Sequence, residues 1–197
     1  MSQHDEFFIH TGDIPKRLFI SRPESIRGTA LSPCCMTPDD VDYEMGFGKN
    51  PEILEICGMN QESLEYFVQH YGKTYRYLYF FKCQLIRDFS PLEDLVNLEK
   101  VRVFWNIRAD NLWNFSKNTA LKSIFITDAK KMTFNPDKVK TSSVLEDVWF
   151  AGGMFNNYPV ESLDAFTGMP ALKRLKLHNI RLNRKNLEAL SAVPALE

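Results

Sequence analysis

The chain has 197 residues, of which 44% are hydrophobic and 25% charged, and its formal net charge is -1. This length allows one ordinary domain or one array of repeats. The near-neutral charge gives no general attraction to nucleic acid or anionic membranes, so we expect neither as a partner. No apolar run approaches the roughly 18 residues of a membrane helix. Residues 1–13 lack a secretory signal, and we therefore expect a cytoplasmic protein.

Residues 1–50 do not fit the repeat that occupies the rest of the chain, and we predict an N-terminal cap with a long loop. Short edge strands are predicted at Glu6–His10 and Arg17–Ser21. The carboxylates of 39–44 indicate a solvated acidic loop, because they lack the glycine and the ligand order of a calcium-binding EF-hand loop.

The cysteines are sparse and lack the spacing of a metal site. They are Cys34, Cys35, Cys57 and Cys83, and the first two are adjacent. Zinc ligands require finger or knuckle spacing, so we predict no metal. Reduced thiols are favoured, although an even count leaves disulfides open. The sequence does not assign a role to the adjacent pair.

From residue 51 onward, short apolar pairs recur at regular intervals. They are Leu54–Ile56, Leu78–Phe80, Val101–Val103, Ile124–Ile126, Val148–Phe150 and Leu175–Leu177, and their first residues are 24, 23, 23, 24 and 27 positions apart. Each pair alternates with period two, which predicts a short strand with one buried face. Spacing of this kind is typical of repeat proteins whose units stack.

An apolar residue precedes each of the last five pairs by three positions, which gives a loose LxxLxL pattern. The clearest copy runs from Leu98 to Asn106. Over about residues 51–197 the chain resembles the leucine-rich-repeat family, and especially its short internalin-like and phosphatase-regulator-like members. The resemblance implies an α/β solenoid of about six repeats, with strand centres near residues 55, 79, 102, 125, 149 and 176. It places a parallel β-sheet on the concave face and short helices and extended segments on the convex face. In the family, the ninth repeat position is Asn or Cys and hydrogen-bonds the loop after the strand. Here only Cys83 and Asn106 match.

The segments between strands carry helix signals of varied quality. Asn60 is a candidate N-cap for a helix that contains Leu64 and Phe67. Ser90–Pro91 predicts a second helix start, and Pro159 to Gly168 frames a third. Asn183 is a candidate cap for a fourth. The segment 129–143 contains Asn-Pro and little helical periodicity, so we predict an extended or single-turn connection.

Side chains that alternate with the buried pairs should lie on the concave face, where partners of such arrays commonly dock. Seven of the sixteen outward residues of the four central repeats are aromatic, well above the 13% of the chain. We predict partner contacts through Tyr77, Tyr79, Phe81, Lys82, Arg102, Phe104, Trp105, Phe125, Trp149 and Lys176. Tyr79, Arg102, Phe125 and Trp149 should form one row across the sheet, beside a second row of Phe81 and Phe104.

Two alternatives to an open binding face remain. Aromatic residues favour strands for packing reasons alone, and the outward positions after each strand can lie under a loop from the N-terminal region. A basic cluster in the last repeat is either a solvated end or a site for an acidic patch on a partner. It comprises Lys173, Arg174, Lys176, Arg181, Arg184 and Lys185. Leu196–Glu197 begins another LxxL unit, so we expect an open apolar edge that allows end-to-end self-association.

The sequence predicts a non-enzymatic protein-interaction module, and one concrete version is an inhibitor or immunity-type protein. We find no catalytic, phosphate-binding or metalloprotease motif and expect no cofactor. His70 is predicted at a helix surface, and His178 lies beside a strand where it can contact a ligand. Carbohydrate recognition by the same aromatic face is the alternative function. An enzyme in the first 50 residues would need a pocket that so short a segment does not build.

Overall fold

The computed structural model describes residues 17–20, 36–46, 53–134 and 142–197, with the first of these ranges described for its backbone only. The prediction of an α/β protein with a parallel sheet is confirmed. Nine strands lie within these ranges: β1 Arg17–Ile20, β2 Ile53–Cys57, β3 Tyr77–Phe81, β4 Lys100–Phe104, β5 Ser123–Thr127, β6 Asp147–Ala151, β7 Tyr158–Ser162, β8 Arg174–His178 and β9 Ile180–Arg184. Seven of them form one sheet in the order β1-β2-β3-β4-β5-β6-β8, and β7 pairs with β9 in a second sheet.

The register of the large sheet follows the spacing of the apolar pairs. Leu78 pairs with Val101, Val101 with Ile124 and Ile124 with Val148, and all these strand pairs are parallel. The first residues of the first five pairs therefore form one buried row, and their second residues form another, while Leu175 and Leu177 continue these rows on β8 but are only half-buried. Both rows lie in the main hydrophobic core, together with apolar residues of the connecting segments.

Strand β1 extends this sheet into the N-terminal region. It pairs in parallel with β2, and Leu18 stands in register with Leu54. The predicted strand at Arg17–Ser21 is thus confirmed over Arg17–Ile20, and Ser21 lies outside the described residues. The predicted strand at Glu6–His10 and the cysteines Cys34 and Cys35 lie outside the described residues. Of the other two cysteines, Cys57 is half-buried and Cys83 is buried.

Helix α1 (Pro38–Gly46) corrects the prediction of an acidic loop at 39–44. Thr37 and Asp40 cap its first turn reciprocally: the Asp40 carboxylate accepts from Thr37 N at 2.8 Å, and Thr37 Oγ1 accepts from Asp40 N at 3.2 Å. This arrangement is a capping box with aspartate at the third position. The sequence carries this signal, because a capping residue, Thr37, precedes an acidic residue, Asp40, by three positions.

Helix α2 (Gln61–His70) begins at the predicted cap, because the Asn60 side chain accepts from Ser63 N. Leu64 and Phe67 of this helix are completely buried in the core. The segments after Ser90 and after Leu163 form only short 3₁₀ helices, Ser90–Asp94 and Leu163–Phe166. Another covers Leu187–Ala192 without a side-chain cap, so the predicted capping by Asn183 is wrong.

The second sheet was not predicted. Pro159, expected to open a helix, lies within β7, and Asn183 lies within β9. Both strands alternate buried and more exposed positions, which is the period-two pattern of a half-buried strand. An isolated bridge joins Phe134 to Val160, so the segment after β5 is extended at this point, as predicted.

Asn106, at the ninth position of its unit, joins two neighbouring connections. Its side chain donates to the carbonyls of Cys83 and Ile86 at 2.8 and 3.0 Å, and accepts from Arg108 N and Ala109 N at 3.1 and 2.8 Å. This buried amide therefore uses both of its donors and both acceptor positions. A fully satisfied buried amide fixes the position of the loop after β4 relative to the loop before it.

Candidate interaction surface

The side chains that alternate with the buried pairs lie on the face of the sheet opposite the main core, which we call the outer face. Tyr79 stands in register with Arg102, Arg102 with Phe125, and Phe125 with Trp149. Lys176 follows Trp149 on β8. Phe81 and Phe104 are in register in the adjacent row. The predicted rows are therefore confirmed as neighbours in the sheet.

The prediction that these rings are open to solvent is wrong for most of them. Tyr79 is 2% exposed, Phe125 9% and Trp149 8%, and together with Ala151 they form a second hydrophobic cluster. Arg102 and Tyr77 are also buried. The alternative left open by the sequence, that intramolecular contacts cover this face, fits the observed burial better than an open face does.

Contacts between neighbouring strands contribute to this burial. Strands lie about 4.8 Å apart, which is less than the width of an aromatic side chain, so adjacent rings cover one another. The Arg102 guanidinium lies 4.7 Å from the centre of the Tyr79 ring, and Lys176 Nζ lies 3.9 Å from the centre of the Trp149 ring. The Phe125 and Trp149 rings are 5.7 Å apart. Such cation–π and ring contacts stabilise the cluster beyond its burial alone.

Trp149 of this cluster and Thr127 beside it on the outer face each carry a polar atom without a hydrogen bond to the described residues. Trp149 Nε1 and Thr127 Oγ1 are buried and have no partner in the part of the chain that the structure describes. An unmade bond of this kind weakens the folded state relative to an apolar side chain of the same shape. The cluster is therefore held by ring packing and cations rather than by hydrogen bonds of these groups.

Four predicted contact residues remain accessible at one margin of the outer face. Phe81 and Phe104 stack nearly parallel with ring centres 5.5 Å apart, and both are half-buried. The Lys82 ammonium lies 5.0 Å from the centres of both the Phe81 and Trp105 rings. Lys82 and Trp105 are exposed. These four residues form a continuous aromatic and cationic patch at the carboxyl ends of β3 and β4.

The residue after each of several strands adopts a left-handed backbone conformation. Lys82, Trp105, Asp128 and Asn179 have φ between 50° and 58°. The amide of each of the first three donates to a carbonyl of the next strand, at 2.9–3.0 Å. Such conformations are uncommon outside glycine and need support from their surroundings. They turn the chain at one edge of the sheet, which we call the carboxyl edge, and they fix the direction in which Lys82 and Trp105 project.

The most exposed large apolar side chains of the carboxyl edge were missed by the sequence analysis. They belong to the loop 152–157 after β6, where Met154 is 87% and Phe155 94% exposed. The signal was present in Gly-Gly-Met-Phe-Asn-Asn, in which turn-forming residues flank two large apolar ones. The repeat pattern did not identify Met154 and Phe155, because both residues lie beyond its outward positions.

Hydrogen bonds hold this loop on both sides of its tip. Asn156 accepts from Gly153 N at 3.1 Å and donates to the Asp128 carboxylate at 2.6 Å. The Asn179 side chain donates to the carbonyls of Gly153 and Asn156 at 2.7 and 3.2 Å. A Cβ on Gly152 would lie 2.3 Å from Asn156 O, so the loop requires glycine there. Met154 and Phe155 thus project from a preorganised loop.

The basic cluster divides into paired and unpaired cations. Lys173 Nζ lies 2.9 Å from Glu146, and Arg174 bonds the Asp147 carboxylate, which raises the pKa of Arg174. Three further cations, Arg181, Arg184 and Lys185, form no ion pair within the described ranges, and all three are exposed.

Both histidines within the described ranges are exposed. His70 stacks on Tyr66 at 4.0 Å, which fits the predicted surface position, and His178 is exposed on β8. Among the described residues, no three His, Cys, Asp or Glu side chains are placed to hold a metal ion. Within the same residues, no helix has the length and apolarity needed to cross a bilayer.

Comparisons with known proteins do not assign the chain to a family. No family model matches the sequence, and no curated protein matches it.

Proposed function

We propose that this protein is a non-enzymatic interaction module that binds a protein partner through its carboxyl edge. The interaction surface in this proposal comprises Phe81, Lys82, Phe104, Trp105, Met154 and Phe155. The observation that carries the proposal is the exposure of Met154 and Phe155 at the tip of a hydrogen-bonded loop. The proposal includes a leucine-rich-repeat solenoid as the fold, in which this edge lies beside a concave sheet. It also includes a cytoplasmic location.

Preorganisation is the physical reason for assigning binding to this loop. Burial of large apolar side chains by a partner stabilises the complex, because it removes apolar surface from water. A loop that is already ordered loses little conformational entropy on binding. Asp128, Asn156 and Asn179 supply this order through hydrogen bonds to the backbone and between their side chains. These bonds do not involve the side chains of Met154 and Phe155. Met154 and Phe155 therefore have the properties of anchors that enter a pocket on a partner.

Trp105 lies close enough to belong to the same surface. The strands that precede Trp105 and Gly152 are separated by one strand, β5, so the two positions lie about 10 Å apart along the edge. Lys82 adds a cation beside the Trp105 ring. Trp is among the residue types that most often dominate the energy of binding.

Carbohydrate recognition is the alternative function, because exposed ring faces also stack on sugars. Half-buried Phe81 and Phe104 and exposed Trp105 provide such faces. Sugars also require hydrogen-bonding side chains beside the rings, whereas the polar group observed over the Phe81 and Trp105 rings is the Lys82 ammonium. We therefore favour a protein partner, and screening of the purified protein on a glycan array separates the two functions.

Capture of partners by immobilised wild-type protein, compared with a Met154→Ala/Phe155→Ala variant, tests the proposal. A specific partner should bind the wild type and be lost from the variant. A Val96→Ala/Leu187→Ala variant is the matched control, because it removes two exposed apolar side chains from other parts of the surface. Equal capture by all three proteins, or retention only of glycans, would contradict the proposal.

A further inference from the structure

The residues directly before strands β3 to β6 and β8 alternate in charge. They are Arg76, Glu99, Lys122, Glu146 and Lys173. We call this side of the large sheet, where the strands begin, the amino edge. It lies about 13 Å from the carboxyl edge, because a strand such as β4 spans four steps of about 3.3 Å. A site at the amino edge is therefore independent of the function proposed above.

Lys100 begins β4 and lies on the outer face at the amino edge. Its register partners are Tyr77 on β3 and Ser123 on β5. The Lys100 ammonium lies 5.7 Å from the centre of the Tyr77 ring, and the residue is half-buried. Lys100 is thus partly removed from water, while its incomplete burial leaves it accessible to a small molecule.

Asp147 on β6 is one of two carboxylates that act on the charge of Lys100. Its oxygens accept from Ser123 Oγ at 3.0 Å and from Arg174 Nη2 at 2.8 Å. The carboxylate is therefore already bonded to a hydroxyl and to a guanidinium, and it forms no ion pair with Lys100 within the described ranges.

Glu99, the second of these carboxylates, is bonded to other groups as well. It accepts from Arg76 Nε at 2.7 Å and from Tyr77 OH at 3.3 Å. Among the described residues, no carboxylate lies within ion-pair distance of the Lys100 ammonium. The cation therefore has a ring beside it and two carboxylates nearby that are held by other donors.

Burial lowers the pKa of the Lys100 ammonium, because desolvation disfavours its charged form. The charges of Asp147 and Glu99 oppose this shift, whereas those of Arg174 and Lys122 act in the same direction as burial. A lowered pKa leaves more of the amine neutral at a given pH, and the neutral amine is the nucleophile. Desolvation and a neighbouring cation are the two conditions that activate a lysine amine.

Lys122 favours a reaction partner that carries a negative group. It directly precedes Ser123, the register partner of Lys100 on β5, and it is exposed. In the part of the chain that the structure describes, Lys122 forms no ion pair. A phosphate near Lys122 would therefore gain a charge-assisted hydrogen bond without displacing an existing partner.

We infer that Lys100 is a site of reversible covalent modification by small phosphorylated aldehydes. The amine nitrogen adds to the aldehyde carbon, both amine hydrogens leave with the carbonyl oxygen as water, and a carbon–nitrogen double bond remains. Lys122 pairs with the phosphate of the aldehyde. The partial burial of Lys100 limits the access of water and so slows hydrolysis of the imine.

Pyridoxal phosphate is the probe that tests this inference on the full 197-residue chain. The protein is treated with less than one equivalent of probe, the imine is reduced with sodium borohydride, and mass spectrometry of peptides locates the label. We expect Lys100 to carry at least about threefold more label than any other lysine. Pyridoxal, which lacks the phosphate, should label Lys100 more slowly, and this difference should shrink as salt rises.

Three variants separate the amine from the phosphate contact. Lys100→Arg keeps the cation but forms no imine, so the preferred label should disappear while urea unfolding stays like that of the wild type. Lys122→Gln should slow labelling of Lys100 by pyridoxal phosphate more than labelling by pyridoxal. Lys131→Arg changes an exposed lysine elsewhere and should leave labelling of Lys100 unchanged.

The mapping on the wild-type chain decides the result without any variant. Label that is spread over the exposed lysines, with Lys100 no more reactive than they are, would overturn the site. Equal rates of labelling by pyridoxal and pyridoxal phosphate would overturn the preference for a phosphorylated aldehyde. Preferred labelling of Lys100 that depends on the phosphate and on Lys122 would support both parts.

Discussion

Lys176 of β8 places its ammonium nitrogen 3.9 Å from the centre of the Trp149 ring on the neighbouring strand. This contact covers one side of a ring that the sequence pattern placed in solvent. Trp149 packs within the outer-face cluster, while its indole nitrogen makes no hydrogen bond with the described residues. The ring therefore contributes to folding mainly through its apolar area.

Replacing Trp149 tests whether the outer face is a second core. We expect Trp149→Ala to lower the free energy of unfolding by about 3–5 kcal/mol, as for other buried large-to-small changes. Trp149→Phe should cost much less, because no hydrogen bond is lost. The measurement is equilibrium denaturation in urea. Trp105→Ala, at an exposed position, is the control and should change stability by less than about 1 kcal/mol. Equal, small effects of both alanine variants would mean that the outer face is open.

The buried amide of Asn106 should be one of the most sensitive polar positions of the chain. Asn106→Ala leaves two carbonyls and two backbone amides without their partner, and we expect a loss of about 3 kcal/mol or more in unfolding free energy. Asn97→Ala is the matched control, because that exposed side chain makes a single bond to Lys73 O. Thermal unfolding of both variants provides the comparison, and similar melting temperatures would contradict the assigned role.

Docking of α1 on α2 should depend on pH through Asp42. Hydrogen bonds from Tyr71 and then Tyr66 lower the pKa of Asp42, and the bond to Asp42 raises the pKa of Tyr71 to about 12. The contribution of Asp42 is present above its unfolded pKa of 3.8 and is lost as pH falls through the lower folded value. The contribution of Tyr71 is fully present below its unfolded pKa of 10.0 and is lost as pH rises through about 12.

Ultraviolet absorbance of tyrosinate measures the alkaline limit of this contact. We expect Asp42→Asn to move the pKa of Tyr71 from about 12 toward its ordinary value of 10.0, because the carboxylate no longer disfavours the phenolate. Asp39→Asn, on the same helix but without a bond to Tyr71, is the control. An unchanged titration curve in Asp42→Asn would show that α1 does not contact α2 in this way.

The loop after β6 should not tolerate a side chain at Gly152. A Cβ there would lie 2.3 and 2.4 Å from the carbonyl oxygens of Asn156 and Asn179, which are backbone atoms that cannot rotate away. We therefore expect Gly152→Ala to displace the loop tip and to speed proteolytic cleavage near Phe155. Gly46→Ala is the control, since nothing lies within 4 Å of its added carbon. Equal cleavage rates of the two variants would mean that the loop is not held as described.

Regular spacing was enough to predict strands β2 to β6 and β8, because a period of two within a recurring unit specifies both the strand and its register. The cap at Asn60 likewise located α2. The burial of Tyr79 and Trp149 could not be predicted from the sequence, because an alternating pattern indicates which residues share a face but not what covers that face. Met154 and Phe155 were missed because their position depends on bonds from Asp128 and Asn179, which are distant in the sequence.

The second sheet shows a different limit of prediction from the sequence. The residues of β7 alternate in burial, but Pro159 and Gly168 also frame a helix, and local signals alone do not choose between the two. Pairing with β9 decides in favour of the strand, and this pairing joins segments about one repeat unit apart. The resemblance to leucine-rich repeats predicted extended segments on this side, without indicating which connections would pair.

The dissociation constant of a purified partner, measured for four proteins by calorimetry, tests the proposed function most directly. The proteins are the wild type, Trp105→Ala, Met154→Ala/Phe155→Ala and the Val96→Ala/Leu187→Ala control. If the carboxyl edge carries the interaction, the first two variants should each lose about 2 kcal/mol or more, roughly a thirtyfold weakening, while the control binds like the wild type. Unchanged affinity in both edge variants, with their folding intact, would contradict the account.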